Sequence, residues 1–341
     1  MRYFIFILSV FVLVACSVDP EIKPLVEAND IKEIIPEGWP TPHYNFSNNK
    51  LTPDGFLLGR ELFYDPIFSI DNTVSCGSCH QQFAAFSNFG HSTSHGINNL
   101  LGTRNSPALQ NLNWNTSFLH DGGVTHIELF PPAPITNTLE MGETLANVVA
   151  KISNTTHYKS KFNKAFGSEV INSQRIFKAL TQFMGTMYSY NSKYDKVKAG
   201  KEQFTASEQT GYNLFVQHCS SCHTEPLFTD NSYRNNGIGA NPTYKDSGRM
   251  HITQNISDLY KFKVPSLRNI EKSPPYMHDG RFATLEACLN HYSSSISNSS
   301  TLDPQLVGGI NLTTQNKNDI VLFLKTLTDN TFLNDKRFAE N

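Results

Sequence analysis

Charge is scarce in this 341-residue chain. Asp, Glu, Lys and Arg together make up 17% of it, and the formal net charge is −2. Such a balance offers no basic surface for a polyanion, so nothing argues for nucleic-acid binding. The apolar stretch from Phe4 to Ala15 falls short of the ~20 residues that a transmembrane helix needs. Strand-like alternation is rare, and helical periodicity dominates. There are only six cysteines, but four of them stand in a pattern that carries most of the information.

That pattern is Cys-x-x-Cys-His, present twice: Cys76-Gly-Ser-Cys79-His80 and Cys219-Ser-Ser-Cys222-His223. Two thiols at this spacing can add to the two vinyl groups of one haem. The histidine that follows is then placed under the iron as its proximal ligand. A zinc site built from two such pairs has them ~15–20 residues apart. Here the gap is far longer, and each pair carries a trailing His. A thioredoxin-like motif needs neither the His nor a second copy. A disulfide across so short a loop is strained. The residues therefore point to two covalently bound haem c groups.

The N-terminus reads as an export signal. Met1-Arg2 precedes the apolar run, which ends Leu13-Val14-Ala15-Cys16. That ending resembles a bacterial lipobox, with residues 1–16 as a lipoprotein-type signal peptide. Cys16 then carries the lipid, and the mature protein is periplasmic and tethered to a membrane face rather than inserted in it. The other reading is an ordinary signal peptide with an incidental Cys. After four haem thiols and one lipidated thiol, Cys288 remains, and a lone leftover Cys behaves as a small buried hydrophobe.

Residues 17–50 read as a tether and surface arm. About 325 mature residues suggest two domains, at 51–195 and 196–335, with a linker near 191–205. The chain also repeats itself weakly. Gly59-Arg60-Glu61-Leu62-Phe63 precedes the first haem motif, and Gly211-Tyr212-Asn213-Leu214-Phe215 precedes the second. Phe86-Ser87-Asn88 and Phe228-Thr229-Asp230 follow them. Further on stand Phe118-Leu119-His120-Asp121-Gly122 and Tyr276-Met277-His278-Asp279-Gly280. Amphipathic helices are predicted over Leu145–Phe166, Ser173–Tyr190, Ala206–His218 and Asn316–Leu327. The loops at 88–107 and 229–266 are long.

Together with Arg104-Asn105-Ser106-Pro107, Pro134 through Glu140-Met141, Val264-Pro265-Ser266-Leu267-Arg268-Asn269 and Pro275-Tyr276-Met277-His278-Asp279-Gly280, these motifs resemble the bacterial dihaem cytochrome c peroxidase and MauG superfamily. The resemblance runs from about Leu51 to Leu327. It implies an all-α fold of two cytochrome c-like haem domains with long loops. It also implies a division of labour: the His80 haem meets hydrogen peroxide, and the six-coordinate His223 haem passes electrons.

The resemblance extends to individual residues. Glu140 matches the distal acid and Pro134 a pocket-shaping proline. His95, with His91 as a poorer option, matches a loop histidine that gates the resting peroxidase. Tyr292 stands where peroxidases have a methionine ligand and MauG-type members a tyrosine; Met277 and His291 are the other options. His120 replaces the tryptophan usual between the haems, with Trp114 six residues earlier. Phe130 stands where the distal pocket often has a glutamine. The side chain of Asn105 and the carbonyls of Ser273 and Pro275 match the ligands of a calcium ion, which prefers such oxygen donors. The implied partners are a small periplasmic cytochrome c or copper protein as electron donor, and a second copy of the chain. The implied activity is peroxide reduction, with MauG-like oxidation of a protein or small molecule as the alternative. A dihaem electron carrier without turnover is the third reading.

Overall fold

A computed structural model describes residues 31–340. The segment read as a signal peptide, with Cys16, lies outside these residues, as does the start of the arm. Of the described residues, 43% are helical, short 3-10 turns included. In order, α1 is Pro53–Tyr64, α2 Cys76–Cys79, α3 Pro132–Thr136, α4 Leu145–Ser153, α5 Thr156–Phe166 and α6 Ser173–Met184. Then come α7 Lys193–Lys198, α8 Ala206–His218, α9 Met250–Thr253, α10 Leu285–Ser294, α11 Thr314–Lys325 and α12 Asn330–Leu333. The one sheet among the described residues is a two-stranded antiparallel ribbon of β1, Tyr233–Arg234, and β2, Phe262–Lys263.

Helix starts follow from local chemistry. Thr52 caps α1 with Pro53 in its first turn. Capping boxes open α8 (Thr205 with Glu208) and α11 (Thr313 with Asn316). Each satisfies backbone N–H groups that the helix itself leaves without partners.

The internal repeat becomes two equivalent helix pairs. α1 crosses α6, and α8 crosses α11. Each crossing point is a glycine. A Cβ on Gly59 would lie 1.9 Å from the Ala179 carbonyl oxygen, and one on Gly211 would lie 1.9 Å from that of Asp319. Only glycine permits so close a backbone approach. Around these pairs lie two hydrophobic cores. One gathers Phe56, Leu62, Phe63, Ile176, Leu180 and Phe183. The other gathers Phe215, Phe228, Leu285, Ile320, Phe323 and Leu327.

Several stretches differ from the sequence expectation. The helix predicted over Leu145–Phe166 breaks into α4 and α5 at Asn154-Thr155, where Asn154 caps α4 and its N–H returns to the Ala150 carbonyl. The helix predicted to Tyr190 ends at Gly185. The stretch 191–205 is not a plain linker. Ser192 and Asp195 form a capping box for α7, and Tyr194 is buried in the second core. Arg268, whose side chain is fully buried, clamps Asp195 with two hydrogen bonds of 2.8 and 2.9 Å. Burial alone would raise the Asp195 carboxyl, but Arg268 and Ser192 outweigh it and hold it below the usual range. The tail also crosses back. Phe332, Leu333 and Phe338 pack into the first core, and Tyr64 donates to the Phe338 carbonyl at 2.7 Å.

Residues 31–50 lie along the body. Trp39 meets Trp114 edge-on at 5.0 Å, Trp114 Nε1 donates to the Pro40 carbonyl at 2.7 Å, and Tyr44 donates to Glu128 at 2.9 Å.

Candidate dihaem site

The two Cys-x-x-Cys-His motifs occupy matching places, one after α1 and one directly after α8. Ser75 and Ser78 form a capping box that closes Cys76–Cys79 into a single turn. His80 Nδ1 then lies 2.7 Å from the Phe86 carbonyl oxygen, with the Pro107 carbonyl as a further acceptor. In the second copy, His223 Nδ1 lies 3.1 Å from the carbonyls of both Phe228 and Pro265. Phe86 and Phe228 both adopt left-handed backbone, with φ of 58° and 57°. This turns each carbonyl toward its histidine.

The histidine chemistry follows from that geometry. A carbonyl oxygen only accepts, so Nδ1 must carry the proton and Nε2 keeps its lone pair. Burial pushes His80 down to about 4, against the pull of its carbonyl partners, and lowers His223 in the same way. Both rings are therefore neutral at pH 7. A neutral imidazole oriented through Nδ1 suits a metal at Nε2.

The cysteines fit thioether attachment. All four are unpaired. Burial pushes the Cys76 and Cys219 thiols up to about 12, with their partner cysteines adding to the rise. A redox-active pair needs a thiolate stabilised by positive neighbours. These thiols have the opposite surroundings.

Near the first motif, the Glu140 carboxylate lies close enough to Cys79 to repel its thiolate, and Ser94 hydrogen-bonds the same sulfur. Ser94 in turn meets the Ser106 hydroxyl at 2.5 Å. Burial raises the Glu140 carboxyl, while the Asn137 side-chain amide, donating at 2.7 Å, partly offsets the rise. Pro134 braces this strand of chain: its carbonyl accepts from Met141 N at 3.2 Å. His95 is exposed, with its ring 4.9 Å from that of His91. Two residues on, Ile97 N donates to the Glu140 carbonyl at 2.8 Å. The His95 loop is thus stitched to the Glu140 segment. Phe130 is buried and stacks on Phe118 at 5.6 Å.

Near the second motif, Tyr292 is half-buried on α10. Burial pushes its phenol up to about 12, and the thiols of Cys288, Cys219 and Cys222 raise it further, whereas a hydrogen bond from Asn236 lowers it. Asn236 Nδ2 stands 3.4 Å from Tyr292 Oη and 3.5 Å from Met277 Sδ. Tyr292 and Met277 therefore converge on one amide. His291 is turned elsewhere, with Nε2 3.0 Å from the Asn236 carbonyl. Cys288 is part-buried and packs against the second core.

Between the motifs, Asn105 joins both His-Asp-Gly segments. Its N–H donates to the His278 carbonyl at 2.8 Å, and its carbonyl accepts from His120 Nε2 at 2.8 Å. Burial drives His120 down to about 4, and the charges of Arg104, His278 and Lys263 push the same way. His278 stacks on Phe262 with centroids 3.7 Å apart. Half-buried Lys263, lowered to about 8 by desolvation, donates to the Ser117 carbonyl at 2.9 Å. Trp114 stays with the arm, between Trp39 and Tyr188. The Asn105 side chain faces the Ser92 carbonyl at 3.1 Å, and Gly90 N donates to Pro274 O at 3.3 Å. The loop 88–92 thereby meets both Asn105 and the Ser273–Pro275 turn.

Sequence reasoning missed Asn236, Ser94 and the two histidine-orienting carbonyls. Phe86 and Phe228 did stand out as a repeat, so the carbonyls had a signal. Asn236 had none, being one Asn among several in a long loop.

This geometry defines a c-type haem protein with two anchoring motifs. The comparisons agree. The family model for di-haem cytochrome c peroxidase matches residues 53–203. The chain is 33% identical to the methylamine utilization protein MauG of Methylorubrum extorquens, over 86% of this chain and 82% of that one. It is 34% identical to the cytochrome c551 peroxidase of Nitrosomonas europaea, over 80% and 79% respectively. It also superposes on the crystal structure of a MauG-like protein associated with microbial copper homeostasis. The TM-score is 0.82 at 32% identity, covering 89% of this chain and 97% of that one. The chain belongs to the dihaem cytochrome c peroxidase and MauG family, and it is an oxidoreductase.

Proposed function

We propose that the protein is a MauG-like peroxide-dependent oxidase, with Tyr292 as the sixth ligand of the haem on His223. The observation that carries this reading is the position of Tyr292: a half-buried phenol within electrostatic reach of Cys219 and Cys222 and hydrogen-bonded by Asn236. A tyrosinate ligand lowers a haem potential and favours ferric and higher oxidation states, where a methionine ligand raises it. When bound, the two haem irons would give two electrons to hydrogen peroxide and so hold the two oxidising equivalents that it delivers. Everything else falls to the chain. Glu140 takes a proton from the inner oxygen of peroxide and returns it to the outer one. His80 and His223, fixed through Nδ1, would each hold one iron at Nε2. His120 and Asn105 bridge the two halves. The oxidising equivalents then pass to a separate protein or small-molecule substrate.

Peroxide reduction fed by a small periplasmic cytochrome c or copper protein is the second reading. It is favoured by the His95 loop, stitched to Glu140 as a gating ligand would require. Export to the periplasm with a lipid on Cys16 fits either reading, because haem c is attached there. Among the described residues no helix is long and apolar enough to cross a membrane.

Resonance Raman and electron paramagnetic resonance of the ferric holoprotein test the leading reading. A phenolate signature that disappears in Tyr292→Phe is expected; a thioether-ligated His223 haem in the wild type contradicts it.

A calcium ion on Asn105 and the carbonyls of Ser273 and Pro275 belongs to the same proposal, supported by the meeting of loop 88–92 with both segments. Chelation with EGTA is expected to perturb the electron paramagnetic resonance of both haems, and refilling with Ca2+ to restore it. Spectra and calcium content that both stay unchanged count against the site.

A further inference from the structure

The placement of Asn236 is tightly specified. Its Oδ1 accepts from Ile238 N at 3.3 Å, and its main-chain carbonyl accepts from His291 Nε2 at 3.0 Å. On one side, buried Asn235 holds the loop. Its Nδ2 donates to Ser299 and Thr301, each at 2.9 Å, and its Oδ1 accepts from Gly237 N at 2.9 Å. On the other side, Gly237 accepts from Ser297 N at 2.7 Å. The side-chain amide is thus fixed at both ends, with its NH2 aimed inward.

A primary amide has two N–H donors and an oxygen that only accepts. With Oδ1 committed to Ile238 N, both hydrogens of Nδ2 face the pair formed by Tyr292 Oη and Met277 Sδ. One donor group therefore serves both the phenol and the thioether that are candidates for the same ligand position. Oxygen is a good acceptor and thioether sulfur a weak one, so the stronger bond goes to the phenol oxygen.

We propose that Asn236 is a positioning residue for the sixth ligand of the C-terminal haem: its amide donates to Tyr292 Oη, holds that oxygen toward the iron and sets how strongly it donates. The proposal rests on the Tyr292 reading above. A hydrogen bond to a phenolate withdraws electron density from it, so the metal sees a weaker donor and its reduced form is favoured. Hydrogen bonds to ligands from outside the coordination sphere tune metals in this way.

The test uses the full-length holoprotein. Asn236→Leu removes the donor and leaves the main-chain bond to His291 in place. Asn236→Asp removes the donor but retains an oxygen for Ile238 N, which separates ligand tuning from loop anchoring. In both variants the reduction potential of the His223 haem is expected to fall. The size follows from one net hydrogen bond, about tenfold in the reduced-to-oxidised ratio, or ~59 mV for a one-electron couple. The iron–phenolate stretch is expected to rise in frequency, and the His80 haem potential to stay put. Asn236→Gln, which keeps an amide, should recover part of both changes.

A wild type with a phenolate ligand, together with variants that keep its potential and stretch, overturns the Asn236 proposal alone. A wild type without the phenolate signature overturns the Tyr292 reading, and the proposal with it.

Discussion

Tyr292→Met is expected to raise the reduction potential of the His223 haem by roughly a few tenths of a volt, a sizeable part of the ~0.8 V range that axial ligands command. The cause is the exchange of an anionic oxygen for a neutral thioether, which removes charge that favours the ferric ion. Spectroelectrochemical titration of both haems measures it. The His80 haem should hold its potential, so the spread between the two widens. A wild-type and variant pair with equal potentials contradicts ligation by Tyr292.

The second large effect concerns Glu140. Glu140→Gln keeps the shape and the amide contact to Asn137 but cannot carry a proton. The rate of reaction with peroxide is expected to fall by about 10²–10⁴-fold, the usual worth of a positioned general acid–base. The pH dependence has a defined sign. Burial raises the Glu140 carboxyl above the ordinary value, which for a glutamate is about 4.3. The ionised form is the one that accepts the first proton from peroxide. The wild-type rate should therefore fall as pH drops through a value above that ordinary one, and the Gln variant should lose this limb. Stopped-flow mixing with peroxide across pH 4–8 measures both. A Gln variant with wild-type rates and an unchanged acid limb removes Glu140 from the chemistry.

Much of the fold was legible because its determinants are local or repeated. Cys-x-x-Cys-His is a five-residue signal, and its trailing aromatic, Phe86 or Phe228, carries the carbonyl that orients the histidine. Gly59 and Gly211 stood out as a repeat before their role as helix-crossing points was visible. Ala206–His218 was read to the residue because a capping box opens it and the haem motif closes it.

What escaped depends on distant partners. The stretch 191–205 looks like a Lys-rich linker until Arg268, 73 residues away, clamps Asp195. The tail at 330–338 has no periodicity, yet its three apolar side chains complete the first core. The ribbon of Tyr233–Arg234 and Phe262–Lys263 is too short to leave an alternation in the sequence. In the site, the residues that the sequence singled out are those with specialised chemistry: cysteines, histidines, Glu140 and Tyr292. The amides that hold them, Asn105 and Asn236, act through contacts that only folding creates. Asn105 was noticed as an oxygen donor, not as the link between His120 and the His278 carbonyl.

If Tyr292 ligates the His223 haem as proposed, peroxide acts on this protein without prior reduction, because a tyrosinate ligand favours oxidised states. One equivalent of hydrogen peroxide added to the fully oxidised holoprotein tests it directly, followed by absorption from the Soret band into the near infrared. An immediate change at both haems, decaying faster when an oxidisable substrate is present, is the expected result. A spectrum that stays unchanged until one haem has been reduced contradicts it and favours the donor-fed peroxidase instead.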